Sequence, residues 1–189
     1  MDYNFINRNV LKIIEVLSSE RLYFSQISEK TGIKSRNNLV KNLDIMVKLG
    51  ILKKEQNKSN TFYEINYENN ITLSILNIIN FFNFQKLSFD RRKAIEETLI
   101  LFKPNLAVLF GSTAKGNFTK QSDIDLLFVY NRKDKIEVKE IASRYGVKIN
   151  TVIMEFNELD LKNETIRHIL KTGYPLAGYI YFYKILKNI

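Results

Sequence analysis

Residues 110–130 read FGSTAKGNFTKQSDIDLLFVY. Gly111 and Ser112 follow the apolar run NLAVLF, and Asp123 and Asp125 stand at the start of a second apolar run. Glycine permits a tight turn and a close backbone approach to a ligand. Ser112 offers a hydroxyl and a backbone N–H at the start of a short helix, where anions are favoured. Lys115, one turn on, adds a positive charge. Residues two apart in a strand share a face, so Asp123 and Asp125 point the same way and Ile124 points the other. Two parallel carboxylates make a hard oxygen site suited to Mg2+ and a bound triphosphate. The pattern therefore predicts a clamp: Gly111, Ser112 and Lys115 on phosphate, Asp123 and Asp125 as metal-holding carboxylates. A Gly-Ser turn or a capping aspartate alone is common; the spacing of the two together is specific.

Strands and helices must hold these groups. NLAVLF, DIDLLFVY and VKINTVIM read as strands rich in Val, Ile, Leu and Phe. GSTAKGNFTKQ, with a short helix, lies between the first two, and DKIEVKEIASRYG, a helix ended by Gly146, lies between the last two. A further helix, NETIRHILKTG, follows. This alternation predicts an α/β sheet domain. Within it, GSTAKG and SDIDLLFV resemble the signature of the DNA polymerase beta-type nucleotidyltransferase superfamily, especially its minimal nucleotidyltransferase branch. Lys115 stands where that branch usually carries arginine. The resemblance implies transfer of a nucleoside monophosphate from an NTP, ATP being the first choice, to an acceptor hydroxyl with two Mg2+ ions.

The resemblance also implies a third carboxylate on the next strand, facing the first two. The matching position is Asn150, which is neutral and cannot act as a base. Glu155 lies five residues on, so alternation points it the opposite way. No Asp or Glu occurs from 141 to 154. Nucleotide binding by Asp123 and Asp125 survives this departure, while acceptor activation suffers. Loss of activation worth two pKa units costs roughly 3 kcal/mol, about a hundredfold in rate.

The N-terminal part has a different grammar. Val10, Leu11, Ile14 and Leu17 line one face of a helix. Ser25 is the expected cap of a second helix that Gly32 ends, and Ser35 the cap of a third, with Leu39, Leu43, Met46 and Val47 inward. ILKKE and TFYEIN around QNKSN read as a hairpin. Three helices and a hairpin over about residues 5–66 resemble a winged helix-turn-helix domain, which implies binding of double-stranded DNA. Residues 30–58 hold eight Lys or Arg and two Asp or Glu. Lys34, Ser35, Arg36, Asn37 and Lys41 fall at the start and outer face of the third helix, where base edges and phosphates are met, and Lys58 falls at the wing tip.

The whole-chain reading is an α/β (α+β) protein with a winged helix at 1–68, a linker helix at 69–89, and a nucleotidyltransferase-type mixed sheet flanked by helices at 90–189. The linker stretch ITLSILNIINFFNFQKL is apolar enough to need burial on more than one side, between domains or in a homodimer. Asp90 is the expected cap of a helix DRRKAIEETLILF, with Arg91 and Arg92 in its solvated first turn. His168, the single histidine, reads as a surface residue, and the tyrosines of YPLAGYIYFYKIL as core or dimer contact. The net charge of +9 suits an anionic partner, and the absence of cysteine excludes disulfides and thiolate chemistry. No signal-like start or membrane-length apolar run occurs, so the expected location is cytoplasmic. The rival readings keep the second domain but remove its catalysis: a regulator that only binds nucleotide, or an antitoxin-like protein holding a toxin partner.

Overall fold

The computed structural model describes residues 6–57, 60–131 and 137–189. The protein is a mixed α/β structure that divides into two units, Met1–Ile79 and Asn80–Ile189.

In the first unit, α1 (Arg8–Leu17) starts at Asn7, whose side chain accepts from the backbone N–H groups of Asn9 at 2.9 Å and Val10 at 3.2 Å. It buries Val10, Ile13, Ile14 and Leu17. Ile13, not Leu11, completes that face, because 10, 13, 14 and 17 repeat at i, i+3, i+4 and i+7. A two-residue strand, β1 (Leu22–Tyr23), is too short to show alternation in sequence and leads into α2 (Phe24–Thr31). This helix begins one residue before the expected Ser25 cap, with Tyr23 at the N-cap and its N–H donating to Gln26 Oε1 at 3.1 Å. Gly32 ends it in the left-handed region at φ 67°. Ser35 caps α3 (Arg36–Lys48), accepting from the Asn38 N–H at 3.3 Å. The helix buries Leu39, Asn42, Leu43 and Met46. Asn42 takes the inward place expected of Val47, and it is satisfied there by donating to the Asn38 backbone oxygen at 2.8 Å.

β2 (Leu52–Gln56) and β3 (Thr61–Ile65) pair antiparallel, and β1 joins the other edge of β3 to give the order β1-β3-β2. Lys58 lies outside the described residues. α4 (Asn70–Gln85) is started by Asn69, whose side-chain oxygen accepts from the Ile71 N–H at 2.8 Å. The division between the two units falls inside this helix.

The second unit opens with α5 (Phe89–Phe102), where Ser88 is the N-cap and Asp90 sits in the first turn instead of capping. Then come β4 (Leu106–Phe110), α6 (Gly111–Lys115), β5 (Ile124–Tyr130), α7 (Lys139–Tyr145) and β6 (Ile149–Glu155). α8 (Glu164–Thr172), β7 (Tyr174–Ala177) and α9 (Tyr179–Leu186) complete it. The sheet order is β6-β5-β4-β7, with β5–β6 parallel and the other pairs antiparallel. β7 escapes sequence reading because YPLA is short and opens on a Tyr-Pro pair. In β4, Leu106, Ala107, Val108 and Leu109 are all fully buried, which is why that strand reads as an unbroken apolar run. Leu109, Leu126 and Phe128 form one core cluster with Ala94 and Ile95 of α5. The C-terminal aromatics divide: Phe182 and Tyr183 are buried, Tyr181 is exposed.

Candidate functional site

The sheet brings the two ends of the opening motif together. Phe110, the last residue of β4, pairs with Asp125 of β5, so the chain turns at Gly111 beside that carboxylate. Gly111 has φ 71°, and a Cβ built on it would stand 2.2 Å from Asp125 Oδ2. The turn therefore needs glycine twice over, for its backbone conformation and for the carboxylate that fills the missing side chain's space. Ser112 is half-buried on the short α6, and Lys115 at its end is exposed.

On the other side of β5, the parallel register sets Asp125 opposite Asn150. Asn150 Nδ2 donates to Asp123 Oδ2 and to Asp125 Oδ1, both at 3.0 Å. A carboxylate can only accept, so the amide nitrogen must face the pair and the amide orientation is fixed by chemistry. Asp123 precedes the first strand residue, yet its carboxylate converges with that of Asp125 on one atom. Glu155 pairs with Tyr130 at the far end of the same ladder. Among the described residues, no group of three or more His, Cys, Asp and Glu side chains assembles a metal centre. The donor set is two carboxylates and one carboxamide. Two carboxylates converging beside the Gly111 turn are oxygen donors of the kind that fit a hard divalent cation.

A residue read as solvated is buried beneath this arrangement. Arg91 is 4% exposed. Its Nη1 donates to Thr113 Oγ1 at 3.1 Å, and its Nη2 donates to the backbone oxygens of Thr119 at 3.0 Å and Ser122 at 2.5 Å. The guanidinium also lies 4.9 Å from the Phe118 ring centroid. Thr113, itself buried, passes its hydroxyl hydrogen to the backbone oxygen of Asp123 at 2.8 Å. Burial pushes the Arg91 pKa down, and the Asp123 charge opposes that push. The sequence did hold a signal. Arg91 sits three and four residues before Ala94 and Ile95, in phase with Thr98, on the face α5 buries. Arg92 instead stands next to that face, partly exposed, bonded to Gln85.

His168 is exposed on α8, as its polar flank predicts. It borders a cavity of about 370 Å³ lined also by Phe110, Gly111, Glu164, Thr165 and Ile169.

In the first unit, Lys34, Ser35, Arg36, Asn37 and Lys41 are all exposed and cluster at the start of α3. A second cavity, about 530 Å³, is lined by Phe24, Ser25, Ser28, Glu29, Lys34 and Arg36. Arg36 lies 5.9 Å from the Phe24 ring centroid.

Residues 91–172 match the family model described as the nucleotidyltransferase domain. That span holds the Gly111 turn, both aspartates, Asn150 and Arg91. Two curated proteins of Methanocaldococcus jannaschii, each named a putative protein adenylyltransferase, are also similar. One is 35% identical over 60 residues, covering 30% of this chain and 61% of its own length. The other is 37% identical over 81 residues, covering 36% of this chain and 54% of its own length. The chain thus spans between half and two thirds of each relative it matches. No helix among the described residues is long and apolar enough to cross a membrane.

Proposed function

We propose that the second unit binds a metal-bound NTP, with ATP as the first choice, and transfers its nucleoside monophosphate to an acceptor oxygen, a hydroxyl in the simplest case. The observation that carries this is the convergence of Asp123 and Asp125 at Asn150 Nδ2, directly against the side-chain-free turn at Gly111. Asp123 and Asp125 would hold the divalent cation, Mg2+ or a like ion, which when bound supplies charge neutralisation to the triphosphate. The absence of a side chain at Gly111 lets the Asp125 carboxylate pack against the turn, and Ser112 and Lys115, next along that turn, lie at hand for hydrogen bonding and charge to phosphate. Arg91 fixes the loop that delivers Asp123. The names of the two similar proteins support ATP and a protein acceptor.

The first unit is proposed as a winged helix that binds double-stranded DNA through Lys34, Ser35, Arg36, Asn37 and Lys41. Its helix–strand–helix–helix–hairpin order and the exposed basic start of α3 support that reading. The proposed domain limits remain 1–68, 69–89 and 90–189.

A second reading is favoured by Asn150 itself. A neutral side chain at the acceptor side suits a unit that binds nucleotide, or a partner protein, without efficient transfer. Transfer of label from ATP carrying radioactive α-phosphorus separates the two. Calorimetry with and without Mg2+ tests what they share. Equal affinity for ATP in both conditions would sink the site.

A further inference from the structure

Phe110 pairs with Asp125 on the antiparallel β4–β5 ladder, and Asp125 pairs with Asn150 on the parallel β5–β6 ladder. Directly paired residues share a face of the sheet, so these side chains stand in one row. One step back on β4, Leu109 and its partner Leu126 both belong to the core cluster on the opposite face. The cavity of about 370 Å³ at Gly111 is lined by the end of β4 and by α8. It lies where the row meets that helix, on the β4 side of the aspartates, while Asn150 flanks them on the β6 side.

The α8 wall is held by a close approach. A Cβ on Gly173, just past the helix, would stand 2.6 Å from the Leu109 backbone oxygen and 2.8 Å from Val108 Cγ1. Glycine is what lets the helix end sit this tightly on β4. At the other end Asn163 caps the helix, accepting from the Thr165 and Ile166 N–H groups at 3.0 and 3.2 Å. Between these anchors, Thr165, His168, Ile169 and Thr172 recur at i, i+3, i+4 and i+7, and all line the cavity. Ile169 is buried; His168 and Glu164, one turn before it, are exposed. The cavity thus offers two rings, an isoleucine and a carboxylate.

Resting on the function proposed above, we infer that this cavity is the nucleobase subsite of the NTP: the base packs against Phe110 and His168, and Glu164 accepts a hydrogen bond from its exocyclic amine. Transfer in line puts the acceptor across the α-phosphorus from the departing pyrophosphate. The proposed phosphate turn begins at Gly111, which also lines the cavity. The cavity is therefore on the pyrophosphate's side of the reaction and takes a part of the NTP, not the acceptor. Rings and an isoleucine suit the flat face of a base, and a charged phosphate gains little from them. The size falls within the range of about 300–1,000 Å³ that small ligands occupy. A carboxylate only accepts, so Glu164 favours a base that presents an amine over one that presents a carbonyl in its place.

The test is calorimetry on the full chain with Mg2+ and three probes: ATP; ITP, which carries a carbonyl in place of adenine's amine; and inorganic tripolyphosphate, which has no base. ATP should bind at least about tenfold tighter than tripolyphosphate and about fivefold tighter than ITP. His168→Ala should weaken ATP binding about tenfold and leave tripolyphosphate unchanged, and His168→Phe, which keeps a ring, should restore ATP. Glu164→Gln, whose amide donates as well as accepts, should bring ATP and ITP together. Both side chains are exposed, so these variants should fold. Equal affinity for ATP and tripolyphosphate, ATP binding unmoved by His168→Ala, or an ATP-to-ITP ratio unmoved by Glu164→Gln would overturn the inference. Failure to bind either ATP or tripolyphosphate with Mg2+ would overturn the underlying function instead, which keeps the two failures distinct.

Discussion

Arg91 Nη1 lies 3.1 Å from Thr113 Oγ1, and that contact decides where the threonine's one hydrogen goes. A hydroxyl accepting from a guanidinium has its hydrogen free for another acceptor, here the backbone oxygen of Asp123. Helix α5, the turn after β4 and the start of β5 are thereby tied through two side chains. Arg91→Met should strand the oxygens of Thr119 and Ser122 and cost about 3 kcal/mol, lowering the unit's melting temperature by roughly 10 °C or more. Arg91→Lys, which keeps a charge and one bond, should recover part of that loss. The check is thermal unfolding of the three proteins, alongside Mg-ATP affinity. Equal melting temperatures would mean that the loop holds itself.

Gly111→Ala should be among the most damaging single changes to nucleotide binding. The added methyl meets a carboxylate oxygen at 2.2 Å and must also adopt φ 71°. Either the turn or Asp125 has to move. We expect Mg-ATP affinity to fall at least about tenfold, with a stability loss of about 1–3 kcal/mol from the strained backbone. Calorimetry and denaturant unfolding measure the two separately.

Asp123→Asn combined with Asp125→Asn should abolish metal-dependent ATP binding while the unit stays folded. The pair is partly exposed, and replacing it removes like-charge repulsion at the site. A circular dichroism spectrum matching that of the unaltered protein, together with loss of the Mg2+ dependence in titrations, is the expected result.

Asn150→Asp exchanges a donor for a third carboxylate with almost no change in volume. Without cation the three charges repel and the melting temperature should fall; with Mg2+ it should recover beyond the unaltered protein's own response. Transfer to a hydroxyl acceptor should rise by about a hundredfold if acceptor activation is what the asparagine removes. A slower enzyme with Asp at this position would show that another residue serves the acceptor.

For the first unit, Lys34→Ala, Arg36→Ala and Lys41→Ala together should weaken duplex binding and flatten its salt dependence. Each lost phosphate contact lowers the slope of log affinity against log salt by about 0.9. Binding measured across several salt concentrations gives the slope, and an unchanged value would clear this face of phosphate contact.

How far the sequence reveals these features depends on whether the signal is local. The Gly-Ser turn, the two aspartates and the face of Asn150 follow from spacing and alternation, and the β5–β6 register places Asn150 beside Asp125. Helix ends at Gly32 and Ser35 are readable because one residue type supplies the geometry. The burial of Arg91 was legible from its phase on α5, but its bonding was hidden because its partners, Thr113, Thr119 and Ser122, lie 22 to 31 residues away and two of them offer only backbone oxygens. β1 and β7 were hidden because two or four residues are too few to show a period.

The amide of Asn150 has one more consequence. The aspartate pair is at rest already occupied, by a donor that belongs to the protein and carries no charge. Under the proposed function, a cation would find one oxygen of each carboxylate, Asp123 Oδ2 and Asp125 Oδ1, already engaged and would compete with two hydrogen bonds for them. Arrival and departure then depend on how readily one side chain rotates at χ1 and χ2. Asn150 stands at the exposed edge of the sheet, where such rotations take picoseconds to nanoseconds. An exchange of partners at the two carboxylates would then call for rotation of that one side chain.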